Sequence, residues 1–136
     1  MLAGMDSHVS SLAVVLPEAQ WEELQQMRKR YDPSFGRWPP HINIFFPFVS
    51  PAKMTGVSKS ISEGLEELSA FLITFDESSP DFFTHSEGFT VFLRPNKEAF
   101  EKFASLRAQV ASKLGHHGGQ FVPHLSVARH LPNKAV

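Results

Sequence analysis

The sequence predicts an α+β fold with a largely antiparallel sheet. Three observations carry that expectation. Apolar residues recur at helical spacing in three segments, short runs rich in Val, Ile and Phe lie between them, and the elements so read follow the order β-α-β-α-β-β-α-β, with two strands in succession.

Taken in order, residues 1–8 form a head expected to be disordered, and residues 9–136 are expected to form a single domain. The stretch 9-VSSLAVVL-16 reads as a strand. Pro17 suits the first turn of a helix. Trp21, Leu24, Met27 and Tyr31 then mark its apolar face. Glu18, Glu22 and Glu23 near the start and Arg28, Lys29 and Arg30 near the end complement the helix dipole. The loop 32-DPSFGRWPP-40 is dense in turn residues and delivers the chain to a strand, 41-HINIFF-46. Ser50 and Pro51 read as N-cap and first position of a second helix, with Met54, Val57, Ile61, Leu65 and Leu68 as its stripe. Gly56 and Gly64 weaken that helix. Strands are predicted over 71-FLITF-75 and 89-FTVFLR-94, joined by 76-DESSPDFFTHSEG-88. Asn96 caps a third helix whose Phe100, Phe103, Leu106, Val110 and Leu114 face inward, and Gly115 stops it. After the loop 116-HHGGQ-120, the run 122-VPHLSVAR-129 supplies the last strand.

Composition narrows the function. The chain has 136 residues, enough to bury a core, with 42% hydrophobic and 20% charged residues. Thirteen basic residues against 14 acidic ones give no broad field for coating nucleic acid, although a small substrate needs only a local pocket. The absence of cysteine excludes disulfides and thiol nucleophiles. The first residues, MLAGMDSHVSS, carry no Lys or Arg, and no apolar run approaches the roughly 18 residues of a membrane span. A cytoplasmic or nuclear protein without a membrane partner is expected.

One device occurs twice. In 39-PPHINIFFPF-48 and in 122-VPHLSVAR-129, a histidine follows proline at the mouth of a β-forming run. Strand alternation puts His41 and Asn43 on one face with Ile42 and Ile44 opposite, and His124 and Ser126 on one face with Leu125 and Val127 opposite. The apolar faces suit burial; the polar faces are left to line a cleft, if the two strands lie side by side. Such a cleft suits phosphodiester cleavage. A base must take a proton from the attacking oxygen and an acid must give one to the leaving oxygen. Imidazole, with an ordinary pKa of about 6.5, serves either role near neutral pH. Short polar side chains hydrogen-bond the phosphate as charge develops. No metal or other cofactor is required.

These residues resemble the 2H phosphoesterase superfamily, the 2′-5′ RNA ligase or cyclic phosphodiesterase group, whose signature is a pair of H-x-[T/S]-x motifs. They stand here as His41-Ile42-Asn43-Ile44 and His124-Leu125-Ser126-Val127, the first set in Trp38-Pro39-Pro40-His41-Ile42-Asn43. The resemblance spans roughly residues 9 to 129 and includes DFFTHSEGFTVFLRP ahead of the third helix. It implies a two-lobed fold of antiparallel sheets flanked by helices, with both motifs on the cleft floor. It also implies a substrate that is a nucleotide or RNA terminus: a 2′,3′-cyclic phosphate or a related phosphodiester. His41 and His124 would be catalytic, Asn43 and Ser126 would bind substrate, and His85 would lie near the cleft. Some members ligate or only bind.

Two departures stand out. Asn43 replaces the usual Thr or Ser, and the chain stops after ARHLPNKAV, before the further helix and closing strands such members carry. The lobe with the N-terminal strand is therefore expected to be less covered, which favours either self-association through that strand or an unusually open active-site cleft. A strand histidine on its own is most often structural; the matched pair argues against that here. His116 and His117 beside Gly118 and Gly119 read as a solvated loop in preference to a metal site. His130 shares the parity of the second motif. Phe45-Phe46 and Phe82-Phe83 are mainly core, with one of each pair open to base stacking. Trp38 reads as a packing anchor.

Overall fold

The computed structural model describes residues 10–78, 80–86, 88–115 and 119–131. The head over residues 1–8 falls outside them, as do His116 and His117 and the side chain of His130. Among the described residues, five strands and three α-helices follow in the order β1 (Leu12–Val15), α1 (Glu22–Tyr31), β2 (His41–Phe45), α2 (Met54–Leu65), β3 (Asp81–His85), β4 (Gly88–Leu93), α3 (Lys97–Leu114) and β5 (Leu125–Leu131). Short 3₁₀ turns at Glu18–Gln20 and Pro51–Lys53 lead into α1 and α2. The α+β class and the order of elements are those the sequence predicts. Two sheets form: β1 with β2, and β3-β4-β5 in that order. Leu16 N–H donates to the Pro40 carbonyl and Phe48 N–H to the Ser10 carbonyl, so β1 and β2 run in opposite directions. The three-stranded sheet is antiparallel throughout.

The chain divides into two compact units, and the division passes through β1 and β2. One unit comprises Met1–Ala13, Asn43–Ile73 and Lys97–Pro123. Its core is apolar: Ile44, Phe45, Phe48, Val49, Val57, Phe103, Leu106, Val110 and Leu114 are all buried. Here α2 packs on α3. Gly64 allows the close approach, because a Cβ there would stand 2.8 Å from Lys113 Cγ. The left-handed φ of 65° at Gly115 ends α3 where the sequence placed its stop. Phe100, expected to face inward, is 41% exposed; the buried stripe runs instead through Ala99, Phe103, Leu106, Val110 and Leu114. Arg107, on the flank of α3, lies between the rings of Phe45 and Phe121 at 4.7 and 4.9 Å. It donates to the carbonyls of Ile44 and Gly119, each at 3.1 Å. Burial holds its guanidinium below the ordinary arginine pKa.

The other unit comprises Val14–Ile42, Thr74–Asn96 and His124–Val136. It packs α1 on the three-stranded sheet through β5, around Leu16, Leu24, Ile42, Leu125, Val127 and Ala128. Two expectations are corrected in this part of the chain. The run 71-FLITF-75 is not a strand: it makes a single bridge, Phe75 to Pro95. Asp76 N–H to the Arg94 carbonyl and Asn96 N–H to the Thr74 carbonyl frame that bridge, and the ladder ends because Lys97 already begins α3. The strand that pairs with β4 is β3, Asp81–His85, inside the segment read as a connection. His85 opposite Gly88 closes the hairpin, and the φ of 126° at Gly88 is one that L side chains rarely adopt.

The buried face of α1 is also rotated from its expected position. Leu24 and Arg28 are buried, whereas Met27 and Tyr31 are 48% and 41% exposed. A cation has taken the place expected of an apolar residue.

Candidate active site

On β2 Ile42 and Ile44 are buried and His41 and Asn43 half-buried on the other face, as the sequence predicts, but the alternation stops there: Phe45, of the histidine's parity, is buried and Phe46, expected on the buried face, is exposed. His41 Nδ1 lies 2.8 Å from the Pro39 carbonyl oxygen. A carbonyl only accepts, so Nδ1 carries the hydrogen of this contact.

The Trp-Pro-Pro segment that aims this ring is held at three successive carbonyls. Arg28 Nη2 donates to the Trp38 carbonyl at 2.7 Å, His41 binds that of Pro39, and Leu16 N–H binds that of Pro40 at 2.9 Å. Two of the three residues are prolines and have no N–H of their own to offer. Arg28 is 2% exposed and also donates to Gln25 Oε1 at 2.7 Å and to Asp32 Oδ2 at 3.4 Å. Asp32 Oδ1 in turn accepts from Ser34 N–H at 2.9 Å. The loop before His41 therefore hangs on a buried ion pair. Sequence reasoning missed Arg28, because it opens an Arg-Lys-Arg run that reads as a solvated helix end. The one signal was its spacing, seven residues after Trp21 and four after Leu24. Trp38 itself is 51% exposed, so its backbone anchors the loop and its ring does not.

The second motif opens β5, with His124 one residue before the strand begins. Ser126 stands opposite Phe92, which stands opposite Asp81; one step along, Thr90 stands opposite Phe83. Residues opposed across a ladder share a face. Ser126, Phe92, Phe83, Thr90 and His85 therefore lie on one face of the sheet. His124 joins them: its ring meets Phe83 edge-on at 5.0 Å and Phe92 at 5.4 Å, and those two phenyls stack at 4.2 Å. His85 Nε2 lies 3.0 Å from Thr90 Oγ1. Of the two phenylalanine pairs, Phe45 is buried and Phe46 exposed, whereas Phe82 and Phe83 are 47% and 38% exposed, so β3 carries more open aromatic surface than expected of core.

His41, His85, His124 and Ser126 belong to one unit, and Asn43 is assigned to the other. The expectation that the two motif strands lie next to each other is corrected: β2 pairs with β1 and β5 with β4, in separate sheets. Among the described residues, no three His, Asp or Glu side chains gather as a metal site.

A sequence model described as the 2′-5′ RNA ligase superfamily matches residues 16–136. Among curated proteins, the chain is 27% identical over 120 residues to one from Bacillus licheniformis whose name marks it provisionally as a phosphoesterase. That match covers 87% of this chain and 69% of the relative.

Proposed function

The chain belongs to the 2′-5′ RNA ligase superfamily, the 2H phosphoesterases, whose function is phosphoesterase or RNA ligase-like, and on that premise we propose that it opens phosphodiesters without a metal. Its substrate is a 2′,3′-cyclic phosphate or a related nucleotide or RNA-end diester. One of His41 and His124 takes the proton from the attacking water as the new P–O bond forms. The other protonates the ribose oxygen as the old P–O bond breaks, leaving a phosphate monoester and a free hydroxyl. Ser126 Oγ and the Asn43 amide donate to the phosphate oxygens, and His85, on the face that carries His124 and Ser126, contacts the substrate. A cytoplasmic or nuclear setting goes with this reading. Among the described residues no helix is long and apolar enough to cross a membrane.

The observation that most supports the reading is the His41 ring, whose Nδ1 is fixed on a backbone carbonyl, and in this reading Nε2 transfers the proton. The test is turnover of 2′,3′-cyclic nucleotides with EDTA present, across pH. A bell-shaped rate profile that survives the chelator is expected, reporting one base and one acid. Abolition by chelator with rescue by zinc would contradict it.

A second reading rests on Asn43 in place of Thr or Ser: a nucleotide- or RNA-end-binding module with weak or no turnover. Asn43→Thr separates the two. A gain in turnover at unchanged nucleotide affinity would favour the binding module.

A further inference from the structure

Helix α3 carries two stripes. Phe103, Leu106, Val110 and Leu114 face the core. A second line, Phe100, Ala104, Arg107 and Ala111, recurs at helical spacing one position further round. Phe121 stands beside this line, its ring centroid 6.4 Å from that of Phe100 with 30° between the planes. With Ala108 and Ser112 these residues line a cavity of about 550 Å³, the size of a small-molecule site. The cavity opens to solvent: Phe100 is 41% exposed, and Ala108 and Ser112 are exposed. It lies wholly in the unit that holds neither His41 nor His124.

Arg107 is the one charged residue in the lining. Its guanidinium is fixed in advance, between the rings of Phe45 and Phe121, with Nε and Nη1 on the carbonyls of Ile44 and Gly119. Nη2 donates to no described residue and is not enclosed. Burial works against the charge, and no carboxylate among the described residues answers it. A half-buried cation in that condition is stabilised by an anion that supplies a charge-assisted hydrogen bond. We propose that this groove on α3 binds a small aromatic carboxylate, with its ring against Phe100, Phe121 and the alanines and its carboxylate on Arg107 Nη2. The phenyl walls offer faces and edges to a flat ring. One cation neutralises one negative charge. A phosphate dianion would keep an uncompensated charge against apolar walls, which favours the carboxylate.

The test is an NMR titration with three probes of one ring system: naphthylacetate, the neutral naphthylethanol and the dianionic naphthyl phosphate. Naphthylacetate should saturate with shifts in the amides of Ala104, Ala108 and Ala111. It should bind about tenfold or more tighter than the alcohol, the weight of a hydrogen bond to a charged group. The phosphate should bind there no tighter than the acetate. Arg107→Gln should bring acetate and alcohol to equal affinity. If loss of the two carbonyl contacts unfolds that variant, Ala108→Trp leaves Arg107 in place, fills the groove and should abolish the shifts from all three probes. Equal wild-type affinities for acid and alcohol would overturn the proposal. So would shifts confined to other residues, or an acid preference that survives in both variants. Shifts in the same amides on concentrating the protein alone would seat a second copy in the groove and overturn it too. A phosphate bound there more tightly than the acetate would overturn the choice of a carboxylate.

Discussion

Arg28 reaches His41 through the chain between them: it holds the Trp38 carbonyl, and the next carbonyl along holds the imidazole. Removing one partner of a buried ion pair leaves an uncompensated charge, so Arg28→Ala should lower stability by about 3–5 kcal/mol in denaturant titrations. Arg28→Lys should not rescue it, because an ammonium cannot span Gln25, Asp32 and Trp38 at once. A smaller acid-sensitive contact sits at Asp76. The Ser78 N–H and hydroxyl, each at 2.8 Å, and the Arg94 cation hold its carboxyl below the ordinary value of 3.8. Because the folded pKa is depressed, the stability it contributes is present above that value and is lost as pH falls through the folded pKa. Acidification should therefore release the Ser78 amide, visible as a chemical-shift titration that Asp76→Asn removes. The two Pro-His motifs were legible in the sequence because repetition and strand parity both mark them. Arg28 was not, since the Trp38 carbonyl that draws it inward is supplied by the folded loop, and without it Arg28 reads as an ordinary surface cation.

The elements show where local pattern suffices and where it fails. Helix α3 was legible at both ends because Asn96 and Gly115 punctuate a long apolar period. By contrast 71-FLITF-75 has the composition of a strand but only one rung to pair with, and DFFTH was hidden among Ser, Pro and acidic residues. In each case the partner strand decides, and a partner is not a local property. The two glycines of α2 make the same point. Nothing lies within 4 Å of a Cβ built at Gly56, whereas one at Gly64 would meet Lys113 Cγ at 2.8 Å. Gly56→Ala should stabilise by about 0.5–1 kcal/mol from helix propensity alone. Gly64→Ala should fall below wild type as the new Cβ displaces Lys113, and urea titration should place the two variants on opposite sides of wild type. Phe103, fully buried in the core of the same unit, should cost about 3–5 kcal/mol on replacement by alanine.

Across the whole molecule, the family and the α+β class were legible from residue types and element order. The distribution of the two motif strands between separate sheets was not, because hydrogen-bond partners are chosen by the assembled fold. The edge of β1 away from β2 pairs with no strand among the described residues, and Val15 on it is 59% exposed. Such an edge is a template for a second chain. Light scattering should show self-association at high concentration, reduced by Val15→Lys; a monomer at every concentration would contradict it. The central claim, that His41 and His124 act together as acid and base, is tested most directly by the hydrolysis rate of a 2′,3′-cyclic nucleotide in EDTA for the wild type, His41→Ala, His124→Ala and the double variant. Each single variant should fall by about 10²–10⁴-fold, and the double variant should fall little below the slower single one, since the pair works as a unit. Full activity in either single variant, or losses that multiply in the double variant, would contradict the account.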